Sequence, residues 1–182
     1  PVTAKIRLGW DDENRNYREV ALRLQDAGIS ALAVHGRTAK QGYSGSADWS
    51  AIAELRELLQ IPVLANGDVR TPADITAIKH ATGCDVVLIG RGAVGNPWLF
   101  SRMDNSDVSW ETRVRLIERH LHLMCEYYGP INGVRLFRKH LIRYVQGFHG
   151  AGALRPQLVA VETPEQVIAV LLGWEMRPKE PA

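Results

Sequence analysis

Long apolar runs are missing from this chain. No stretch approaches the ~18 consecutive apolar residues of a membrane-spanning helix, and the expectation from the opening residues is that there is no signal peptide. Cysteine is scarce: Cys84 and Cys125 are the only two, too few for a disulfide framework and without metal-ligand spacing. Cys84 precedes a strand and Cys125 lies on the apolar flank of a helix, so both read as structural. No Ser/His/Asp arrangement stands out. His120 and His122 are two residues apart, face different sides of a helix and do not pair as ligands. A reducing cytoplasm is the expected compartment. Acid is missing locally as well. Between Glu126 and Glu162 there is none, while Arg135, Arg138, Lys139, Arg143 and Arg155 fall there with His140 and His149 beside them. Such a surface either contacts a polyanion or is a solvated helix face.

What is present is ordinary for a globular protein: 182 residues, 46% apolar and 23% charged, with a net charge of +2. That length supports one sizeable core, or a core plus a small appendix. The chain opens at Pro1 in a run that is already strand-like, Val2 to Leu8, as expected of a piece of a longer polypeptide.

Short apolar strands alternate with amphipathic helices over the first hundred residues. Thr3–Leu8 alternates, with Lys5 and Arg7 on one face and Ile6 and Leu8 on the other. A helix over Tyr17–Ala27 closes at Gly28. Ile29–His35 is a second strand, followed by a Gly- and Ser-rich loop from Gly36 to Ala47. Asp48 caps a helix over Trp49–Leu59, and Pro62–Asn66 is a third strand. Thr71 and Pro72 open a third helix, which runs to about Ala81. Asp85–Ile89 is a fourth, buried strand. Four strand–helix units with a period near 30 residues predict a parallel sheet with right-handed crossovers. A (βα)8 barrel needs eight such units in about 250 residues, so the expectation is half of one. After Phe100 the pattern turns all-helical. Ser109 caps a helix that Gly129-Pro130 breaks, and a two-faced helix follows over about Asn132–His149. Gly147, Gly150 and Gly152 mark a turn, and Thr163 caps a last helix over about Pro164–Leu172. The polar tail Arg177–Ala182 reads as frayed. The predicted domains are 1–104 and 105–182.

In parallel α/β sheets ligands sit at the C-terminal strand ends. Here those ends carry Lys5 and Arg7, His35 and Arg37, Asn66-Gly67-Asp68, and Gly90-Arg91. Each has a plainer reading. Lys5 either meets an anion or electron-rich ligand or snorkels to the rim. His35 donates to a phosphate or ring, or caps its own loop. Asn66-Gly67-Asp68 binds, or only turns the chain. Gly90-Arg91-Gly92 is a phosphate-gripping turn opening a helix, or a tight turn with a surface arginine. Four polar ends in register favour a ligand site.

The succession KIRLGWD (Lys5–Asp11), VHGRT–QGYSG–ADW (Val34–Trp49), ANGDV–TP (Ala65–Pro72), TGCDVVLIGRGAVGNPWLF (Thr82–Phe100) and RLFRKH (Arg135–His140) closely resembles the bacterial tRNA-dihydrouridine synthases. The match runs along essentially the whole chain, in order. It corresponds to the second half of that family's flavin-binding (βα)8 barrel plus its helical domain. The resemblance implies that Lys5 and His35 contact FMN, and that Asn66, Gly67, Asp68, Gly90 and Arg91 hold its phosphate. It implies Arg37 near the substrate base, and Arg135, Arg138, Lys139 and Arg143 along the tRNA. The family reaction uses NADPH to reduce FMN and passes a hydride to a uracil of tRNA, with a cysteine supplying the proton. That cysteine belongs to the half not matched here, and neither Cys84 nor Cys125 fits its motif. The 182 residues alone are therefore expected to be inactive. A non-catalytic RNA-binding module and another FMN-dependent barrel oxidoreductase are the alternatives. Open sheet edges also raise the expectation of a homodimer of half-barrels, which sedimentation as a monomer at high concentration would exclude.

Overall fold

Alternating strands and helices build the first unit of the computed structural model, which describes residues 1–148 and 150–174. The chain divides into two compact units, Pro1–Gly92 and Ala93–Ala182. His149 and the tail 177–182, both singled out in the sequence, lie outside the described residues.

The first unit runs β1 (Thr3–Arg7), α1 (Tyr17–Asp26), β2 (Ala31–His35), α2 (Trp49–Leu58), β3 (Val63–Asn66), α3 (Pro72–Thr82) and β4 (Val86–Leu88). The strands form one sheet in the order β1-β2-β3-β4, every neighbouring pair parallel. This is the arrangement of a partial (βα)8 barrel. The helix starts follow local chemistry. The Asp48 carboxylate accepts from the Ala51 N–H at the head of α2. Thr71 accepts from Asp74 N–H, and the Asp74 carboxylate accepts in return from Thr71 N–H, with Pro72 in the first turn of α3. Gly83 closes that helix with φ +66.

Alternation along the strands gives the sheet two different faces. Leu32, Val34, Val63 and Ala65 are buried on one, and Ile52, Leu55, Ile75 and Ile78 are the large apolar residues buried on α2 and α3. Burying each of the larger side chains contributes about 1.5–3 kcal/mol. The other face carries Lys5 and Arg7, Ala33 and His35, Leu64 and Asn66, Val86 and Leu88. It is only partly covered: Val86 is 48% exposed.

The sequence predicts an α-helix after Gly90-Arg91-Gly92, and the structure has none there. Two short 3₁₀ turns follow β4 instead, Arg91–Ala93 and Pro97–Ser101. Gly95 at φ +78 and the Asn96-Pro97 step end any helical run. The helix dipole expected to aid anion binding at this turn is therefore absent.

The second unit is helical: α4 (Trp110–Tyr128), α5 (Pro130–Val145), α6 (Ala151–Ala160) and α7 (Pro164–Leu172). Its core joins Ile117 and Leu121 of α4, Val134, Phe137 and Leu141 of α5, Leu154 and Leu158 of α6, and Val167 and Leu171 of α7. α5 begins two residues earlier than the apolar pattern suggests and stops at Val145. α6 is not legible as a helix at all, because Gly152 and Pro156 lie inside it; burial of Leu154 and Leu158 overrides their low propensity. Arg113 is fully buried, its guanidinium stacked 4.6 Å from the Trp98 ring centre and 4.5 Å from that of Phe148. It donates to Asn105 Oδ1 and to the carbonyls of Asn105 and Tyr144. Burial pushes its pKa down to about 10, which still leaves it charged at neutral pH. No described helix is long and apolar enough to cross a membrane.

Candidate functional site

One rung of the sheet carries most of the polar strand ends. Arg7 lies opposite His35, His35 opposite Asn66, and Asn66 opposite Leu88. Register partners in a parallel sheet share a face, so these side chains line up on the less covered side. The Asn66 amide N–H donates to the Leu88 carbonyl at 2.8 Å. That contact fixes the amide, because a carbonyl cannot donate. Asn66 Oδ1 therefore turns to His35 and accepts from its Nδ1–H at 2.7 Å. The imidazole is thus held in one tautomer, with the lone pair on Nε2. Nε2 is buried and has no hydrogen-bond partner. Burial lowers the His35 pKa; the bond it donates to Asn66 opposes this, and the charges of Arg7, Lys5 and Arg37 reinforce the lowering. His35 is consequently neutral near pH 7 and offers an acceptor.

The loop between β2 and α2 is fastened from several sides. Arg7 donates to the carbonyls of Thr38 (2.7 Å) and Gly42 (3.0 Å). Arg37 donates to the carbonyls of Ser44 and Gly45 and to both carboxylate oxygens of Asp68, at 2.8 and 2.7 Å. Asp68 also accepts from the Ala47 N–H at 2.7 Å. Burial raises the Asp68 pKa, but the bonds from Arg37 and Ala47 outweigh it and the net direction is down. Asp68 sits at φ +58, in the left-handed region. Gly67 before it has φ +136, and a Cβ there would lie 2.6 Å from the Ala47 Cβ, so only glycine fits. The Gly67 carbonyl accepts from the Trp49 indole at 3.2 Å.

Tyr43 at the top of this loop gathers the remaining groups. The Arg91 guanidinium lies 3.8 Å from its ring centre, that of Arg7 5.7 Å, and the His35 ring meets it edge-on at 6.4 Å. Tyr43 is a site residue that sequence reasoning passed over; the available signal was a lone aromatic in a Gly/Ser loop. Gly90 has open space where a Cβ would be, and Arg91 is exposed. Lys5 is exposed on β1, with burial and then the Arg7 charge pushing its pKa down. The strand ends therefore combine three cations, a hydrogen-bond acceptor on His35 and an open glycine. This donor set fits an anionic ligand that also carries an N–H.

Arg37 does not behave as the resemblance implies. Its side chain is 1% exposed and saturated on one edge by Asp68 and two carbonyls, so it offers no surface to a nucleic acid. In the helical unit Arg135, Lys139 and Arg143 are exposed on α5. Arg138 is turned inward, donating through Nε and Nη2 to the Val161 carbonyl at 2.9 and 2.6 Å. Cys84 is buried, and burial pushes its thiol pKa up. Among the described residues no cluster of three or more His, Cys, Asp or Glu could hold a metal ion.

Comparison with known proteins gives a consistent result. The dihydrouridine synthase (Dus) family model matches residues 1–175. The chain is 41% identical over 179 residues to tRNA-dihydrouridine synthase B of Xanthomonas axonopodis pv. citri, covering 93% of this chain and 54% of that protein. It is 35% identical to the Pasteurella multocida protein of the same name, covering 96% and 55%. It is 41% identical to a probable tRNA-dihydrouridine synthase 1 of Synechocystis, covering 91% and 49%. The chain thus spans about half the length of the relatives it matches. Four parallel strands with polar groups on one rung, matched along nearly the whole sequence, make this chain a member of the dihydrouridine synthase family.

Proposed function

We propose that the chain supplies the flavin-phosphate side and the RNA-binding helices of an enzyme that reduces uridine in tRNA to dihydrouridine, with FMN as cofactor and NADPH as reductant. The relatives' names support the reaction. The observation that carries the cofactor reading is the rung Arg7–His35–Asn66 with Arg91 and Gly90 beside it. FMN, when bound, supplies the hydride chemistry. Gly90 and Arg91, with the Asn66-Gly67 turn, would hold its phosphate: a guanidinium fork matches phosphate oxygens, and glycine lets backbone approach. His35 Nε2, as an acceptor, takes an N–H such as the imide that isoalloxazine and uracil both carry. Lys5 would place a positive charge against the ring, and its lowered pKa marks a partly desolvated amine. Asp68 and Arg37 act at one remove, by holding the loop that carries Tyr43. Arg135, Lys139 and Arg143 form an RNA face on α5, and Arg138 anchors that helix to the end of α6. Neither cysteine suits proton donation, Cys84 being buried and Cys125 lying in the helical unit, so the 182 residues alone are expected to bind without turning over.

Titration with FMN, followed by quenching of flavin fluorescence, tests the reading. Saturable binding that Arg91→Ala weakens about tenfold or more supports it, since a charge-assisted bidentate contact is worth ~1.5–3 kcal/mol. Absence of quenching by the intact chain refutes it.

A further inference from the structure

The hairpin between α4 and α5 ends in an exposed apolar tip. Tyr127 is 81% exposed, and Tyr128 and Ile131 are exposed beside it. Neither tyrosine hydroxyl has a protein partner among the described hydrogen bonds, and the two rings meet edge to face at 4.7 Å. Leu123, one turn before Tyr127 on α4, is exposed as well. The tip is also rigid. Gly133 lies so close to α4 that a Cβ there would fall 2.7 Å from the Cys125 Cα. The two helices therefore cross in backbone contact one turn from the tip, and the tyrosines are held out from a fixed base.

Charge identifies the occupant. From Ile131, steps of four residues along α5 lead to Arg135 and Lys139, both exposed, each step turning only 40°. α5 carries no acid, and Glu126 is the only one in the last two turns of α4, a 100° step from Tyr127. An exposed aromatic ring braced by the edge of a second, beside a cationic strip, suits a nucleotide whose base is unstacked onto one ring face and whose phosphates run on along the strip. Glu165 of α7 lies near Cys125 at the base of the hairpin, so the positive character is that of α5 itself; an apolar protein partner would explain the tyrosines but not this acid-free basic strip.

We propose that Tyr127 and Tyr128 form a stacking platform for an unpaired base of RNA, with Arg135 and Lys139 neutralising the adjoining phosphates. The inference rests on the RNA reading of α5 given above and adds a residue-level contact to it.

Fluorescence anisotropy of an unmodified tRNA transcript with the intact chain, across a salt series, separates the two. Tyr127→Ala should weaken binding about tenfold and leave the salt slope unchanged, because stacking releases no counterions. Tyr127→Trp should restore affinity. Arg135→Ala and Lys139→Ala should each reduce the slope by about one unit. Unchanged affinity in Tyr127→Ala, with reduced slopes in the cation variants, overturns the platform while the RNA reading stands. Wild-type chain that binds no tRNA at low salt overturns both. Sedimentation in which Tyr127→Ala turns a dimer into a monomer overturns the platform in favour of a protein contact.

Discussion

Asp68→Asn isolates one charge while keeping the shape around it. Asparagine tolerates the left-handed backbone that Asp68 adopts at φ +58, and its Oδ1 can still accept from Ala47 N–H. What is lost is the carboxylate that faces Arg37, whose side chain is 1% exposed while that of Asp68 is 22% exposed. Breaking a fully buried pair costs ~3–5 kcal/mol and an exposed pair ~0–1 kcal/mol. One sealed partner and one mostly covered partner give about 2–3 kcal/mol between those limits. Arg37 keeps its bonds to the Ser44 and Gly45 carbonyls, so the loop loosens without losing every tether. Urea denaturation of Asp68→Asn, Arg37→Met and the double variant gives a coupling energy directly. Coupling of about 2 kcal/mol is expected at pH 7. The Asp68 carboxyl is held below its ordinary 3.8. Its contribution is therefore complete above that value and is lost as pH falls through the lower folded-state pKa. Wild type should lose this stability in acid, and Asp68→Asn should not. Coupling under about 0.5 kcal/mol at pH 7 would refute the claim that this pair holds the loop.

Two further perturbations act on the helical unit. The rings of His120 and His140 lie tilted against each other with centres 5.0 Å apart, and His120 Nδ1 lies 3.1 Å from the Tyr144 hydroxyl. Burial lowers the pKa of both, and for His140 the charges of His120 and Lys139 add to it. The folded state thus keeps them neutral while the unfolded chain takes up protons near 6.5. Stability of this unit should be level above about pH 6.5 and fall steadily below it, and replacing His140 by Phe should flatten the profile. Arg113→Met should destabilise the unit by about 2–4 kcal/mol, seen as a lower urea midpoint, because it strips the donor from the buried Tyr144 carbonyl and the half-buried Asn105 carbonyl and removes the cation between Trp98 and Phe148. Arg113→Lys should recover little, since an ammonium has no planar fork.

The strands and most helix starts were legible because their signals are local. Thr71-Pro72 and Thr163-Pro164 announce capped helices within four residues, and both capping boxes form. Periodicity also separated Lys5 and Arg7 from Ile6. Three features were not legible, each for a different reason. α6 contains Gly152 and Pro156, and only the burial of Leu154 and Leu158 makes it a helix. The turn after β4 reads as a helix start because a glycine-rich motif does not reveal that Gly95 sits at φ +78. Arg37 reads as a substrate-base contact and Arg138 as an outward cation because a loop or helical pattern names a face, not what lies across it. Their partners, Asp68 and Val161, are 31 and 23 residues away.

The rung that aligns Arg7, His35, Asn66 and Leu88 ties recognition to strand pairing. Because side chains alternate, a shift of one residue in β1, β2 or β3 would turn Arg7, His35 or Asn66 toward the helices and bring a neighbour such as Ile6, Val34 or Ala65 to the less covered face. The same slip would bury a charge or an amide in the core, so a misregistered sheet is penalised twice. Insertions and deletions should then be excluded from the strands, and equally from the Ala39–Ser46 loop, whose carbonyls and Tyr43 are tied to Arg7, Arg37 and Arg91. Chains that fold at all will have their binding groups already in line.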